Sequence, residues 1–117
     1  MKQHKWLRKK AEFKAIRGTR LKVKAGNLLL LVKPNTLSYP RLGLAIAKKQ
    51  VKLAVQRNRV KRLTRESFRQ HSDSLPCIDM ILLVYKEIDR VDNKELHQWL
   101  ESLWQQLTKR FAQFSSF

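Results

Sequence analysis

Residues 54–69 read AVQRNRVKRLTRESFR, which predicts an amphipathic helix that is strongly basic on one side. At helical spacing Leu53, Val60, Leu63 and Ser67 form a narrow stripe that can pack against a core. The polar side gathers four cations and one amide: Arg57, Asn58, Lys61, Arg62 and Arg65. A helix held by one edge, with guanidinium and ammonium groups on the other, is suited to bind phosphates.

The positive charge of the chain is concentrated in its first part. The 117 residues carry a net charge of +17. Residues 1–69 contain 21 Lys and Arg against two acids, a net +19, whereas residues 70–117 contain five against seven, a net −2. Charge divided in this way indicates a binding face for a polyanion. The aliphatic and aromatic content exceeds that of a disordered polycation, so we predict one folded domain over residues 1–117.

Composition also limits the cellular compartments in which the protein is expected. Cys77 is the single cysteine, so no intramolecular disulfide and no Cys-based metal site are expected. The apolar run at residues 28–32 is shorter than the ~7–15 residues of a secretory hydrophobic region. No stretch approaches the ~20 apolar residues of a membrane helix. We therefore expect a cytoplasmic protein.

No catalytic motif stands out. His4, His71 and His97 lie far apart, with no acid at metal-ligand or triad spacing, so we predict structural or solvated roles for them. Asp79 sits among apolar residues and is expected to accept hydrogen bonds near a strand end rather than to bind a metal. Neither a Ser-His-Asp set nor a glycine-rich phosphate loop is visible.

Apolar periodicity and turn signals predict a helix, three strands, a helix, a strand and a helix. The helices are expected at residues 6–17, at 51–70 and after a capping box formed by Asp92 and Glu95. The strands are expected at residues 20–24, 28–33, 42–47 and 78–85. The last helix carries a long apolar stripe: Leu96, Trp99, Leu100, Leu103, Leu107, Phe111 and Phe114. This order is typical of an α/β (α+β) two-layer sandwich, a sheet with helices packed on it.

A family resemblance follows from motifs spread over most of the chain. They are Pro40-Arg41-Leu42-Gly43-Leu44, Lys48-Lys49, Arg57-Asn58-Arg59 with its basic extension to Arg69, and the strand IDMILLV at residues 78–84. In this order and spacing the sequence resembles the protein subunit of bacterial ribonuclease P. The resemblance implies the order α-β-β-β-α-β-α, a mixed four-stranded sheet and a left-handed βαβ crossover, against the general right-handed rule.

The resemblance also implies a function. In that family a large RNA subunit binds Mg²⁺ and hydrolyses the bond between the 5′ leader and the mature tRNA. The protein binds this catalytic RNA and the leader of the precursor tRNA, and it contributes no catalytic residue. Its partners would thus be two RNAs, with no membrane and no obligatory protein partner.

Two sets of site residues carry over from the resemblance. The contacts to the catalytic RNA would be Lys48, Lys49, Lys52, Arg57, Asn58, Arg59, Lys61, Arg62, Arg65 and Arg69. The leader cleft would be formed by Arg8, Phe13, Ile16, Arg17, Tyr85 and Lys86. Phe13 matches an aromatic of the first helix in the family. Many relatives have a second aromatic about a turn later, where this chain has Ile16 and Arg17.

Three other functions are compatible with parts of the pattern. A ribosomal or duplex-RNA protein could use the same basic helix, but it would need no second site for a single strand. A self-sufficient nuclease would need clustered carboxylates, which the sequence does not show. A membrane-surface protein is disfavoured because Glu95 and Glu101 lie on the polar side of the last helix, where such proteins carry Lys and Arg.

Overall fold

The computed structural model describes residues 5–114. The strands are β1 (Lys5–Trp6), β2 (Leu21–Ala25), β3 (Leu28–Pro34), β4 (Arg41–Ala45) and β5 (Ile78–Val84). The helices are α1 (Lys10–Arg17), α2 (Ala54–His71) and α3 (Asn93–Arg110), and short 3₁₀ turns follow α2 at Ser72–Ser74 and α3 at Ala112–Phe114. Apart from β1, this is the predicted order of elements.

The strands form one mixed sheet in the order β1-β4-β5-β3-β2. β4 and β5 are parallel neighbours, with Leu42 opposite Met80, and α2 lies between them in the chain. β3 is antiparallel to both β5 and β2. The four longer strands are the mixed four-stranded sheet of the expected α+β class, and β1 extends it at one edge.

The start of the first helix differs from the prediction. Residues 5 and 6 pair in parallel with Arg41 and Leu42 of β4, and the Leu7 amide donates a 2.8 Å hydrogen bond to the Leu42 carbonyl. The helix therefore begins at Lys10 rather than at residue 6. Burial explains the difference, because Leu7 is 3% exposed and packs on the sheet, a position that an earlier helix start would not give it.

The two faces of the sheet bury different helices. Leu28, Leu30, Met80 and Leu82 point to one face, where they form the main core with residues of α2 and α3. The alternate residues, such as Ile81, face α1 on the other side. β5 is buried along nearly its whole length because it is central and covered on both faces, as its continuous apolar run predicted.

A close contact sets α1 against the sheet. A Cβ atom added to Gly43 of β4 would lie 2.7 Å from Cζ of Phe13 and 3.1 Å from Cβ of Leu7. Only a glycine leaves room for the Phe13 ring at this distance. Ile16, one turn later, is buried against the same face and fixes the orientation of the helix.

The buried side of α2 is broader than its predicted stripe. Val60, Thr64, Ser67 and Phe68 are buried, and Ser67 Oγ accepts a 2.7 Å hydrogen bond from Trp104 Nε1 of α3. Leu63 is half-buried at the edge of the core. Leu53 was wrongly assigned to the stripe: it precedes the first helical residue, has an extended backbone, and its side chain is 55% exposed.

α3 begins and packs as expected but ends earlier. The Asp92 side chain accepts a 2.8 Å hydrogen bond from the Glu95 amide, which caps the helix. Leu96, Leu100 and Leu103 are fully buried on its apolar side. The helix ends at Arg110. The side chain of Phe114, the last residue of the predicted stripe, lies outside the described part of the chain.

Candidate nucleic-acid interface

The exposed side of α2 carries a row of cations. Four of the exposed residues lie on one face of the helix at successive turns, and three of them are cations: Asn58, Arg62, Arg65 and Arg69. Within residues 5–114, the side chains of the three arginines in this row form neither an ion pair nor a hydrogen bond. The opposite side of the helix is buried, so the helix is fixed with this row facing solvent. Guanidinium groups that project from such a helix can each donate two hydrogen bonds to one phosphate.

Arg57 has a different role from this row. Its Nη1 donates hydrogen bonds to the carbonyls of Val51 (2.9 Å) and Lys52 (2.8 Å). It therefore fastens the segment before α2 to the first turn of the helix. The sequence predicted an RNA contact here, and the structure adds a structural function that periodicity could not show.

Arg59 also turns toward the protein. Its guanidinium donates to Gln56 Oε1 (2.9 Å), to Asn93 Oδ1 at the start of α3 (2.9 Å) and to the Ile88 carbonyl (3.1 Å). Three of the five N–H groups of an arginine are thus engaged within the protein. Arg57 and Arg59 position the helix, whereas Asn58 between them is exposed.

The segment between β4 and α2 extends the cationic surface. Lys48, Lys49 and Lys52 are exposed, as expected for the predicted set. Val51 is 1% exposed and its amide donates a 2.9 Å hydrogen bond to the Ala47 carbonyl. One buried anchor therefore holds three lysines at the entrance to α2.

A groove of about 270 Å³ joins the two predicted sets of residues. It lies between the start of α1, the sheet edge and α2, and is lined by Trp6, Leu7, Arg8, Phe13, Leu42, Leu44, Lys61 and Arg65. Arg8 and Phe13 were predicted to hold a leader, and Lys61 and Arg65 to contact another RNA. The structure brings them together because β1 carries the chain past the edge strand β4 and alongside α2. The groove is apolar at its floor and basic at its rim.

The other candidate leader residues do not line this groove. Ile16 is 1% exposed, buried between α1 and the sheet, so its assignment to a ligand contact is wrong. Arg17 is exposed at the end of α1. Tyr85 donates a 2.6 Å hydrogen bond to the Gly26 carbonyl, and the Nζ atoms of Lys24 and Lys86 lie 5.1 and 5.7 Å from its ring centre. Tyr85 and Lys86 thus belong to a second basic and aromatic spot, at the β2–β3 turn.

Sequence reasoning missed the charged network beneath α1. Arg41 forms a two-pronged pair with Asp79, Nε to Oδ1 at 2.7 Å and Nη2 to Oδ2 at 2.6 Å, and its Nη1 reaches Glu12 Oε2 at 3.3 Å. Asn35 Nδ2 adds a 2.9 Å bond to Asp79. The hydrogen bonds with Asp79 raise the pKa of the Arg41 guanidinium. The strand-end hydrogen-bonding role predicted for Asp79 is confirmed. Its pairing with Arg41 of β4 was not predicted.

Glu12 completes this network at the start of α1. Its Oε1 accepts hydrogen bonds from the backbone amides of Lys9 (3.0 Å) and Arg8 (3.2 Å). These two bonds, with the nearby charge of Arg41, hold the pKa of Glu12 below its usual value. The carboxylate thus ties the first turn of α1 to the sheet beside the groove.

Two histidines meet one acid between α2 and α3. His71 Nε2 lies 2.9 Å from Glu101 Oε2, and His97 Nε2 lies 3.3 Å from Glu101 Oε1. Sequence spacing did not reveal the first pair, because only helix packing brings residue 71 to residue 101, whereas His97 and Glu101 lie one turn apart in α3. His4 lies outside the described residues. In the described chain, no group of three or more His, Cys, Asp or Glu residues is arranged to hold a metal ion.

None of the helices in residues 5–114 combines the length and the apolar character needed to cross a membrane.

The fold and this surface define a small α+β protein with a cationic helix beside an aromatic groove. A family model described as Ribonuclease P matches residues 1–108. The chain therefore belongs to the ribonuclease P protein family.

Individual relatives agree with this assignment. The chain is similar to the ribonuclease P protein component of Pseudomonas savastanoi pv. phaseolicola, with 53% identity over 88 residues, which are 75% of this chain and 66% of the relative. The matched region thus spans slightly less than two thirds of that relative.

Solved structures share the fold. A mutant of the Staphylococcus aureus RNase P protein, described as defective in mRNA degradation activity, has a TM-score of 0.78 at 25% identity and covers 86% of this chain and 85% of its own. The RNase P protein from Thermotoga maritima has a TM-score of 0.74 at 27% identity and covers 86% of this chain and 94% of its own.

Proposed function

We propose that this chain is the protein subunit of ribonuclease P, which binds the catalytic RNA and the 5′ leader of precursor tRNA and thereby assists removal of the leader. The observation that carries the proposal is the exposed row Asn58, Arg62, Arg65 and Arg69, on a helix packed against the core, whose arginine side chains form no ion pair or hydrogen bond within residues 5–114. It is supported by the membership of the chain in this family.

In this proposal the catalytic RNA binds along α2 and the preceding lysine segment. The deep, narrow major groove of A-form RNA hides the base edges from side chains, so a row of arginines reads phosphate positions and shape rather than sequence. Successive exposed arginines lie about one helical turn apart, a spacing of ~5 Å. Each phosphate that they neutralise should steepen the log–log salt dependence of binding by about 0.7–0.9.

The leader would enter the groove between α1 and α2. Phe13 is half-buried, with one side of its ring against Gly43, so its position is fixed before any ligand binds. A base stacked on such a ring gains about 1–3 kcal/mol with little sequence preference. Arg8, Lys61 and Arg65 at the rim would hold the flanking phosphates. Because Lys61 and Arg65 also belong to α2, one continuous surface would contact both RNAs.

The proposal assigns Mg²⁺ to the RNA subunit, where it would supply the chemistry of phosphodiester hydrolysis. The described residues do not fit a protein-held metal site, since no cluster of suitable ligands is present among them. The part of this chain is to bind and orient: cations lower the repulsion between two RNAs, and the groove positions the single strand. A cytoplasmic setting, with no membrane and no obligatory protein partner, is part of the same proposal.

The test is cleavage of a precursor tRNA with a 5′ leader at low Mg²⁺ concentration. The reactions contain the bacterial RNA subunit alone, the protein alone, or both. We expect strong stimulation only when both are present. The variant Arg62→Ala/Arg69→Ala should lose most of this stimulation at limiting protein concentration, whereas Lys109→Ala, an exposed cation of α3, is the matched control and should retain it.

Each other outcome favours a different function. Cleavage by the protein alone would identify a nuclease. Tight binding of the RNA without stimulation would favour a ribosomal or duplex-RNA protein. Equal stimulation by the double variant and by wild type would place the RNA-binding face elsewhere on the molecule.

A further inference from the structure

Two large apolar side chains are exposed at the start of α2. Leu53 is 55% exposed and Val55 is 68% exposed. The next most exposed large apolar side chain in the described residues is Leu21, at 37%. Both residues lie in the most basic part of the molecule, where burial against the core does not explain them.

Val55 lies on the same face of α2 as the cationic row, at the N-terminal end of the helix. It precedes Asn58 by three residues and Arg62 by seven, the spacing of one helix face, and all three are exposed. Leu53 lies directly before the helix, next to the exposed Lys52. This face of the helix is thus cationic along most of its length and apolar at its N-terminal end.

Local stability does not account for these residues. Leu53 occupies the N-cap position of α2 and forms no side-chain capping bond, although Ser, Thr, Asp or Asn would stabilise the helix there by about 1 kcal/mol. A β-branched residue in the first turn adds nothing to helix propensity. The apolar pair is therefore best explained by a contact outside the chain.

The pair is held in place rather than loosely attached. Val51 is buried beside it, and Arg57 bonds the carbonyls of Val51 and Lys52. This fastening fixes the backbone on the N-terminal side of Leu53. A fixed apolar surface loses little conformational entropy when a partner covers it.

The surrounding charge indicates which partner fits. A second copy of this chain would bring another net charge of +17 to the same place, and the repulsion would oppose the contact. An RNA offers the complementary arrangement, since the apolar faces of its unpaired bases and its riboses lie between phosphates. A partner with an apolar centre and an anionic periphery matches an apolar pair that follows the exposed Lys52 and precedes Arg62 on the same face of α2.

We propose that Leu53 and Val55 pack against an unpaired nucleotide of the RNA that α2 binds, and so position the helix on it. The inference rests on the proposed RNA-binding function of α2. The cations supply attraction that depends on salt and little on sequence, whereas the apolar pair supplies a contact at one end of the helix that fixes its register along the RNA.

Salt dependence separates the two kinds of contact. We would measure binding of the ribonuclease P RNA across a series of salt concentrations for wild type, Leu53→Ser/Val55→Ser and Arg62→Ala. The apolar double variant should bind about 5- to 10-fold more weakly at every salt concentration with an unchanged slope. Arg62→Ala should lower the slope by about 0.7–0.9. Leu21→Ser, an exposed apolar residue of β2, is the matched control and should bind as wild type does.

The outcomes distinguish this inference from the function on which it rests. Unchanged affinity of Leu53→Ser/Val55→Ser, together with a lower slope for Arg62→Ala, would overturn the apolar contact alone. No effect of either variant would overturn the RNA face of α2. A wild-type dimer in sedimentation that the apolar variant abolishes would assign the pair to self-association instead. Thermal melts of both variants should match wild type, since all the substituted side chains are exposed.

Discussion

At the scale of single residues, neighbouring arginines of α2 perform different tasks. Arg62 projects into solvent and its side chain bonds to none of the described residues, whereas Arg59 donates three hydrogen bonds to groups near the start of α2 and at or just before the start of α3. The same residue type is therefore exposed to solvent in one position and hydrogen-bonded within the protein in another. The difference arises because the helix turns Arg59 toward the segment that precedes α3.

We expect Arg59→Ala to destabilise the protein. The substitution removes three hydrogen bonds and leaves the Ile88 carbonyl without this donor, at a cost of about 1–2 kcal/mol. Chemical denaturation of the purified variant would measure it. Arg62→Ala serves as the control and should unfold as wild type does. Equal stability of Arg59→Ala and wild type would show that the three hydrogen bonds of Arg59 contribute nothing to the free energy of unfolding.

Gly26 is a second position where one residue decides local structure. Its φ of +56° lies in the left-handed region, and a Cβ atom built there would lie 1.9 Å from Cε2 of Trp99. Gly26→Ala should therefore lower the free energy of unfolding by about 1–3 kcal/mol, through both backbone strain and overpacking.

Gly18 provides the control for this prediction. Nothing lies within 4 Å of a Cβ atom at this position, and its φ of −85° suits any residue. Gly18→Ala should be neutral or stabilising by up to about 1 kcal/mol. Thermal melts of the two variants would compare them directly, and equal losses in both would contradict the role of the Gly26 turn.

At the scale of elements, helix side chains bond to backbone carbonyls at the edge of the sheet. Gln106 and Arg110 of α3 donate hydrogen bonds to the carbonyls of Lys24 (2.8 Å) and Lys22 (3.1 Å) on the edge strand β2. These contacts occupy acceptors that another strand could otherwise use, which protects the edge from pairing with other chains. On the other face, Glu12 and Arg41 tie α1 to the sheet beside the groove.

The attachment of α1 should depend on pH. Because the pKa of Glu12 is lowered in the folded protein, its carboxylate contributes stability that is fully present above its unfolded pKa of about 4.3. That contribution is lost as the pH falls through the lower folded value. We expect Glu12→Gln to be less stable than wild type at pH 7, and the difference to shrink below about pH 4.

Urea denaturation at a series of pH values would measure this difference. Glu87→Gln is the matched control, since the Glu87 side chain is exposed and forms no ion pair or hydrogen bond within the described chain. A difference between Glu12→Gln and wild type that stays constant from pH 7 to pH 3 would contradict the role of the Glu12 carboxylate.

At the scale of the whole molecule, charge opposes folding and favours binding. The first 69 residues carry a net +19, and within the described residues no ion pair neutralises the arginines of the α2 row. The repulsion among these cations raises the free energy of the compact state. An RNA that covers them would relieve the repulsion, so binding should also stabilise the fold.

Salt should therefore act in opposite directions on folding and on RNA binding. Raising NaCl from about 50 to about 500 mM shortens the Debye length from roughly 14 to roughly 4 Å and screens the cations. We expect the Tm of the free protein to rise by a few degrees over this range, whereas RNA affinity should fall steeply. A Tm that decreases with NaCl would show that ion pairs stabilise the protein more than repulsion destabilises it.

The sequence by itself determined the order of the elements, the basic helix and the division of charge. Helical periodicity and strand alternation are local properties, because a side chain's face follows from its position in its own element. The strands and α2 were thus predicted to within about three residues. The resemblance added the mixed sheet, and the exposure of Asn58 and of the cations Arg62, Arg65 and Arg69 follows from the same periodicity.

Only the tertiary structure decided which candidates are free to bind and which are used within the protein. Ile16 is buried in the core, Arg59 bonds to other parts of the protein, and Arg41 pairs with Asp79 on the neighbouring strand. β1 likewise exists only because β4 offers it an edge. These outcomes depend on strand register and helix packing between residues distant in the chain, and no local pattern specifies which distant partner a side chain will meet.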